Sequence, residues 1–214
     1  MLSRLYPILD VDCLRANCDS SSLLKIISDF ALELVAAGVT VIQYRAKSLS
    51  SREMLAQARE LRRIVPRNVK LVMNDRADLC LAAGFDGVHV GQDDLSPASV
   101  RDLIGPDRIL GVSTHNVEQF TAAVETPADY LAVGPVFTTS SKQNPDPVVG
   151  LDLVRNARKI LTDREDPRPL VAIGGITRAN AAEVFSAGAD SVAVISDLVT
   201  SPRLSAEAFL AILL

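Results

Sequence analysis

Cysteine is scarce in this chain of 214 residues, and its three cysteines form no recognisable pattern. Cys13, Cys18 and Cys80 are scattered, with no Cys-x-x-Cys spacing among them. An odd, scattered set provides neither a disulfide framework nor a zinc site, and it is typical of proteins kept in a reducing compartment. The sequence therefore predicts a cytoplasmic protein whose stability does not depend on cross-links.

An excess of positive charge is also lacking. Lys and Arg number 22, Asp and Glu number 26, the formal net charge is −4, and no basic block is present. A nucleic-acid partner is therefore not expected. The C-terminal AFLAILL is far shorter than the ~20 apolar residues that a membrane span needs. Asp10 and Asp12 stand where a signal peptide would carry apolar residues, so we expect neither a membrane partner nor export.

What the chain contains is an alternation of short runs rich in Val and Ile with longer amphipathic runs. At 48% hydrophobic residues, a chain of this size can bury roughly 70% of its unfolded surface. The short runs are nearly continuous in apolar character, as expected of strands that are covered on both faces. We predict strands beginning at Leu5, Val39, Lys70, Gly87, Ile109, Tyr130, Pro169 and Ser191.

Helical patterns separate these strands. Gly38, Gly84 and Gly188 follow helix ends, and Ser96-Pro97 has the form of a helix N-terminus. Eight strand–helix units leave almost no room for a second domain, so we predict one (β/α)8 barrel over residues 1–214. An open doubly wound sheet is the alternative, but it lacks GxGxxG after the first strand. The predicted helices cover 23–37, 52–65, 76–83, 97–104, 117–125, 151–161, 178–187 and 205–213.

The segment QYRAK ends the second predicted strand, at the edge of the barrel where active sites lie. Gln43, Arg45 and Lys47 share parity with Val39 and Val41. If these valines fill the barrel interior, the three polar side chains point into its mouth. Two cations and an amide suit an anionic, phosphorylated ligand. The alternative is a solvated strand end whose charges pair with neighbouring helices.

Two carboxylates follow the third and fourth strands. Asp75 closes the third, and Asp94 comes shortly after the fourth. Neighbouring parallel strands place these ends side by side, and Mg²⁺ is typically held by one or two carboxylates plus substrate phosphates. Asp94 or Asp93 could instead cap a helix, although Ser96 is better placed for that role, and Asp75 could pair with Arg76 or start a turn.

A second anion site is indicated at the opposite side of the mouth. Gly174 and Gly175 end the seventh strand, and Ile195 and Ser196 end the eighth. Barrels often bind phosphate with the loops after these two strands, using backbone N–H groups that glycine leaves accessible. A tight turn that requires positive φ is the alternative. Two anion sites suit an enzyme that joins or splits two phosphorylated small molecules.

Other residues near the mouth are interpreted individually. His89 lies within a strand and is read as structural, whereas His115 could serve either role. Tyr44 and Phe137 are expected to pack rather than to stack on a ligand. The polar stretch TTSSKQNPDP is either a mobile lid or a surface loop. The remaining mouth positions are Ser113, Thr139, Ser141 and Lys142.

These segments together resemble the thiamin phosphate synthase family. QYRAK, MNDRADLCLAAGFDGVHVGQDDL, GVSTH, DYLAVGPVFTT-SSK, AIGGI and GADSVAVIS match its motifs in order, over residues 43–196. The combination of QYRAK, MND and GQDD at these spacings is specific. The family joins a pyrimidine methyl diphosphate to a thiazole phosphate, forming thiamin phosphate and releasing pyrophosphate.

The resemblance implies a role for each matching residue. Arg45, Lys47, Ser113 and Lys142 would be catalytic and would bind the pyrimidine diphosphate, and Asp75 with Asp94 would hold Mg²⁺ as the cofactor. The family usually has threonine where Ser141 stands, and a serine hydroxyl can still donate. The other implied substrate-binding residues are Gln43 and Asn74 for the pyrimidine diphosphate, and Thr139, Ser141, Gly175, Ile195 and Ser196 for the thiazole phosphate. Tyr44, Ala46 and Ser140 are implied as substrate-binding residues without assignment to one of the two substrates.

The mechanism implied by the family is dissociative: pyrophosphate leaves first, and the thiazole nitrogen attacks a pyrimidine methyl cation. The residues agree, because no protein nucleophile is evident and the cations would neutralise a leaving group whose charge grows. The alternatives are a thiazole phosphate tautomerase of the same barrel type, which would leave Arg45, Lys47, Asp75 and Asp94 without a role, and a non-catalytic regulator. The sequence leaves open whether the protein forms a homo-oligomer.

Overall fold

The computed structural model describes residues 3–17, 22–139 and 147–212, and its eight parallel strands close into a barrel. Each strand pairs with the next along the chain, and the last pairs with the first. The predicted (β/α)8 fold is confirmed. The strands are β1 (Leu5–Asp10), β2 (Val41–Arg45), β3 (Lys70–Asn74), β4 (Gly87–Val90), β5 (Ile109–Thr114), β6 (Tyr130–Val133), β7 (Leu170–Ile173) and β8 (Ser191–Val194).

Helices follow the strands and surround the barrel. Two short elements were not predicted from the sequence: the first helix, which Asp10 caps, and a 3₁₀ turn at Ser196–Leu198. Among the described residues, no helix is long and apolar enough to cross a membrane. The helices are α1 (Val11–Ala16), α2 (Leu23–Ala36), α3 (Ser51–Ile64), α4 (Ala77–Ala83), α5 (Pro97–Ile104), α6 (Val117–Val124), α7 (Gly150–Asp163), α8 (Ala181–Ser186) and α9 (Pro202–Ile212).

The helix ends follow the local chemistry of the sequence. Ser96 caps α5 by accepting a hydrogen bond from the Ser99 N–H at 3.2 Å, with Pro97 in the first turn. Gly84 ends α4 with φ 67°, a left-handed conformation that glycine adopts at little cost. By contrast, α8 begins at Ala181 rather than at the predicted Arg178. The Thr177 N–H donates to the Asn180 side chain at 2.7 Å, which holds the intervening residues in a turn.

The strands separate two apolar regions because successive side chains point to opposite faces. The larger region lies between the strands and the helices. Val41 fills the interior as predicted, but Val39 does not: it precedes β2 and packs in the helix-facing region. The interior cluster consists of Tyr6, Ile8, Val41, Val72, Tyr130, Ala132, Val171 and Ala193.

Candidate active site

A cavity of about 460 Å³ opens at the carboxyl ends of the strands. Polar residues that the sequence analysis singled out on six different strands or strand ends meet in it, because a closed parallel barrel brings all these ends to one rim. The lining includes Gln43, Arg45, Lys47, Asn74, Asp75, Asp94, Ser113, Thr139, Gly175, Ile195 and Ser196. Ser140, Ser141 and Lys142 lie outside the described residues.

The end of β2 contributes only alternate side chains to this cavity. Gln43 and Arg45 line it, whereas Tyr44 is fully buried on the other face and donates to Gln57 of α3 at 2.8 Å. Ala46 likewise packs in the helix-facing region. The side chains of Tyr44 and Ala46, two of the implied substrate-binding residues, therefore do not reach the cavity, and only their backbone atoms are available to a substrate. Side chains alternate between the two faces of a strand, so these two point away from the cavity. For Tyr44 this agrees with the packing role expected from the sequence.

Two acidic residues, one at the end of β1 and one just beyond it, hold the QYRAK segment in place. Asp10 is 2% exposed, lies opposite Arg45 in the β1–β2 register, and forms an ion pair with its guanidinium. Asp12 accepts hydrogen bonds from the Lys47 N–H at 2.9 Å and from the Ser48 hydroxyl. Sequence reasoning missed this role. The β1–β2 pairing was the feature that could have revealed it, because it puts an acidic strand end beside a basic one.

Replacing Asp10 by Asn tests whether this buried carboxylate holds Arg45 in place. Asparagine can still cap α1, where Asp10 accepts from the Cys13 N–H at 2.9 Å, so the helix start is retained. The lost charge-assisted bond should lower the free energy of unfolding by about 1.5–3 kcal/mol, measured by urea denaturation. Asp29→Asn is the control, because its ion pair with Lys25 is exposed and should contribute little. Equal stability of the two variants would contradict the assignment.

The carboxylates after β3 and β4 meet as predicted. Asp75 and Asp94 both line the cavity and lie close enough to interact directly. Burial raises the pKa of the Asp75 carboxyl, the ion pair with Lys47 lowers it, and the nearby Asp94 raises it again, with a net upward direction. Asp75 does not pair with Arg76, which binds Asp78 instead at 2.5 Å.

The backbone around the two carboxylates is held firmly. Asp75 has φ 62°, a left-handed conformation uncommon outside glycine, and its N–H donates to the His89 carbonyl at 2.8 Å. Asp94 does not cap α5; it accepts from the Gly91 N–H at 2.7 Å.

The described residues contain no cluster of three or more His, Cys, Asp or Glu side chains that could hold a metal. Two adjoining carboxylates fit Mg²⁺, which needs only one or two when substrate phosphates and water complete its coordination.

The loops after β7 and β8 form the other side of the mouth. Gly174 and Gly175 have φ 102° and 63°, so the tight turn considered in the sequence analysis is present. A Cβ on Gly175 would lie 2.4 Å from the Thr138 carbonyl oxygen. Glycine is therefore required by the approach of the protein's own backbone. Asn180 holds this turn by donating to the Gly175 carbonyl at 3.0 Å.

An ion pair joins these two loops. Arg178 follows the β7 turn, and both its N–H and its guanidinium donate to the Asp197 carboxylate, at 3.0 and 3.1 Å. Asp197 lies in the 3₁₀ turn that Ser196 begins. The backbone N–H groups of a glycine turn and of a short helical turn are thus fixed next to each other, as in barrels that bind phosphate through backbone groups.

A polar chain beneath the mouth was also missed from the sequence. His89 stacks on Tyr130 with ring centroids 5.5 Å apart, and both rings lie inside the barrel. The His89 Nε2 lies 2.7 Å from the Ser113 hydroxyl, so this histidine contacts a predicted site residue. Burial lowers the pKa of His89 to about 4, so its imidazole is neutral at neutral pH. The alternation of side chains along their strands places His89 and Tyr130 on the inner face of the barrel. This alternation was the signal in the sequence that could have revealed their contact.

His115, whose role the sequence left open, also lines the cavity. Its Nδ1 lies 2.6 Å from the Gly134 carbonyl oxygen, and its backbone N–H donates to the Gln119 side chain at 2.7 Å. A carbonyl oxygen can only accept, so the Nδ1 atom carries a proton. These contacts fix the ring orientation of His115 from the protein side.

Fold and site together define a (β/α)8 barrel whose mouth brings together two cations, two carboxylates and two tight backbone turns. Comparison with known proteins identifies the family. The family model for thiamine monophosphate synthase matches residues 16–198. A thiamine-phosphate synthase of Koribacter versatilis is 56% identical over 99% of this chain and 96% of its own length. A second, from Chloroflexus aurantiacus, is 47% identical over 81% of this chain and 78% of its own.

A solved structure agrees with the sequence comparison. The thiamine phosphate pyrophosphorylase from Pyrococcus furiosus superposes with a TM-score of 0.80 at 31% identity, over 98% of this chain and 94% of that one. The chain belongs to the thiamine monophosphate synthase family, as the resemblance in the sequence indicated. It is an enzyme, a transferase of thiamine biosynthesis.

Proposed function

We propose that this enzyme condenses the pyrimidine methyl diphosphate with the thiazole phosphate to give thiamin phosphate and pyrophosphate, with assistance from Mg²⁺. The observation that carries the proposal is that two separate sets of groups suited to anions line one cavity. Arg45, Lys47 and the two carboxylates lie after β2, β3 and β4, whereas the backbone turns lie after β7 and β8. One phosphorylated substrate on each side leaves their reacting ends facing each other between the two regions.

In this proposal the side chains after β2 stabilise the departing group. The bond between the methylene carbon and the diphosphate oxygen breaks, and its electron pair leaves with the pyrophosphate. Arg45 and Lys47 neutralise the charge that grows on those oxygens. The amino group of the pyrimidine supports the resulting cation, and the thiazole nitrogen supplies the electron pair of the new bond. No protein nucleophile is needed.

We assign Asp75 and Asp94 as the residues that hold Mg²⁺. When bound, the ion supplies Lewis-acid stabilisation of the diphosphate leaving group, an effect worth several kcal/mol in metal-dependent enzymes. Lys47 pairs with Asp75; with Mg²⁺ held by Asp75 and Asp94, this lysine would be available to the oxygens of the diphosphate. We also propose a cytoplasmic location, which the free thiols of Cys13 and Cys80 support.

The test is pyrophosphate release by the purified enzyme, followed with a coupled assay. Release should require the pyrimidine diphosphate, the thiazole phosphate and a divalent cation together, and the organic product should be thiamin phosphate. Omission of either substrate is the control for simple hydrolysis. Full activity in excess chelator would remove the metal from the proposal. Isomerisation of a thiazole phosphate with no pyrophosphate released would favour the tautomerase alternative.

A further inference from the structure

Five buried or half-buried side chains form a continuous hydrogen-bond chain across the barrel interior. Gln43 Nε2 donates to the Tyr6 hydroxyl at 3.1 Å, and the Tyr6 and Tyr130 hydroxyls lie 2.8 Å apart. Tyr130 Oη is 2.8 Å from His89 Nδ1, and His89 Nε2 is 2.7 Å from Ser113 Oγ. We call these residues the interior chain. Its two ends, Gln43 and Ser113, both line the cavity.

The sequence makes room for this chain at one position. Gly111 of β5 lies opposite His89 on one side and Tyr130 on the other in the strand register. A Cβ at Gly111 would come within 2.0 Å of Tyr130 Cζ and 2.5 Å of His89 Nδ1. Any larger residue would therefore displace the contact between the tyrosine hydroxyl and the imidazole.

Elementary hydrogen-bond chemistry fixes the direction of every proton in the interior chain. The Gln43 amide nitrogen can only donate, so the Tyr6 oxygen accepts from it. The buried Tyr6 proton must then go to Tyr130, because a buried hydroxyl without an acceptor is costly. Tyr130 in turn gives its proton to His89 Nδ1. The neutral imidazole then carries its proton on Nε2 and donates it to Ser113.

We propose that the interior chain fixes Ser113 as a hydrogen-bond donor to the substrate, and that His89 and Tyr130 are positioning residues for this serine. With its oxygen already accepting from His89, the Ser113 hydroxyl directs its own proton into the cavity. The ligand group that it recognises is an acceptor, such as a ring nitrogen of an aminopyrimidine. The identity of the ligand in this inference rests on the proposed function. The direction of the protons follows from the interior chain alone.

Tyr130→Phe tests the inference, because it keeps the ring that stacks on His89 and removes only the hydroxyl. Without a donor at Nδ1, nothing holds the imidazole in the Nε2–H form, so the Nδ1–H form should become populated as well. In that form His89 accepts from Ser113, whose hydroxyl then no longer reaches the ligand. Nitrogen NMR of labelled histidine should show the Nε2–H tautomer alone for His89 in the wild type and a mixture of the two tautomers in the variant. The chain has only two histidines, so a His89→Asn variant assigns the signals.

Binding measured by calorimetry, with one substrate present at a time, gives the second readout. Tyr130→Phe should raise the Kd for the pyrimidine diphosphate severalfold and leave that for the thiazole phosphate unchanged. Ser113→Ala should raise the same Kd about tenfold, and the double variant should bind no more weakly than Ser113→Ala alone, because both changes act on the same bond. Thr114→Val is the matched control: its buried hydroxyl donates to the Ala132 carbonyl at 2.9 Å between β5 and β6, outside the interior chain.

Three results would overturn the inference: an Nδ1–H tautomer in the wild type, an unchanged pyrimidine diphosphate Kd in Tyr130→Phe, or an equal loss of both ligands. Failure of the proposed function is seen separately. It would appear as a wild-type enzyme with the expected tautomer that binds neither substrate, and in that case the assigned ligand of Ser113 is wrong as well. Should Tyr130→Phe not fold, two measurements still decide the question: the tautomer of His89 in the wild type, and the Kd of Ser113→Ala for the pyrimidine diphosphate.

Discussion

Asp75→Asn should lower the rate of pyrophosphate release by roughly a hundredfold or more, since stabilisation by a metal ion is worth several kcal/mol and each 1.36 kcal/mol is tenfold. The substitution keeps the side-chain size and tolerates φ 62° at this position, because asparagine adopts the left-handed conformation about as readily as aspartate. The loss can therefore be attributed to the charge. Steady-state assays over a range of Mg²⁺ concentrations would measure it.

The direction in which Asp75→Asn changes the affinity for the pyrimidine diphosphate shows whether Asp75 binds the metal or contacts the substrate directly. In the absence of Mg²⁺, Asp75→Asn should bind the pyrimidine diphosphate at least as tightly as the wild type, because a negative charge beside a polyanion has been removed. With Mg²⁺ present, the wild type should bind more tightly. Asp78→Asn is the control, because this carboxylate lies in the first turn of α4 and pairs with Arg76 at the start of the same helix. A variant with the wild-type rate would make Asp75 a turn residue only.

Much of the fold could be predicted from the sequence because its elements are specified locally. Runs such as those that form β6 and β7 are apolar throughout, and residues such as Ser96 and Gly84 mark helix ends by their own chemistry. Closure into a barrel then brings all strand ends to one rim. The positions of Asp75 and Asp94 followed from that rule without any knowledge of their contacts.

The rest depends on pairing between segments that are distant in the chain. Nothing local to Asp10 indicates that it binds Arg45, 35 residues away, since that contact arises from the register of β1 and β2. The interior chain spans still larger separations, since Tyr130 lies 124 residues after Tyr6 in the sequence. For Gly175 the sequence predicted a tight turn but not the residue that approaches it. That residue is Thr138, which belongs to another loop.

The two anion sites should be separable by substitution, and this result decides between a two-substrate transferase and a one-substrate enzyme. Arg45→Gln alone would leave the buried Asp10 carboxylate without its partner, so the variant to use is Asp10→Asn/Arg45→Gln. It should weaken the pyrimidine diphosphate by roughly tenfold to more than a hundredfold, the equivalent of about 1.5–3 kcal/mol for a charge-assisted contact. Asp10→Asn alone is its control.

On the opposite side of the mouth, Ser196→Glu should weaken the thiazole phosphate by placing a negative charge beside the phosphate oxygens. Ser196 is exposed, so the barrel should fold normally. Gly175→Val is unsuitable, because its Cβ would clash with the protein's own backbone. Calorimetric titration of both variants with each ligand in Mg²⁺ should give a crossed pattern, each variant losing one ligand and keeping the other. If both lose the same ligand, the cavity holds one anion site, and an isomerase acting on a single phosphorylated substrate becomes the better description.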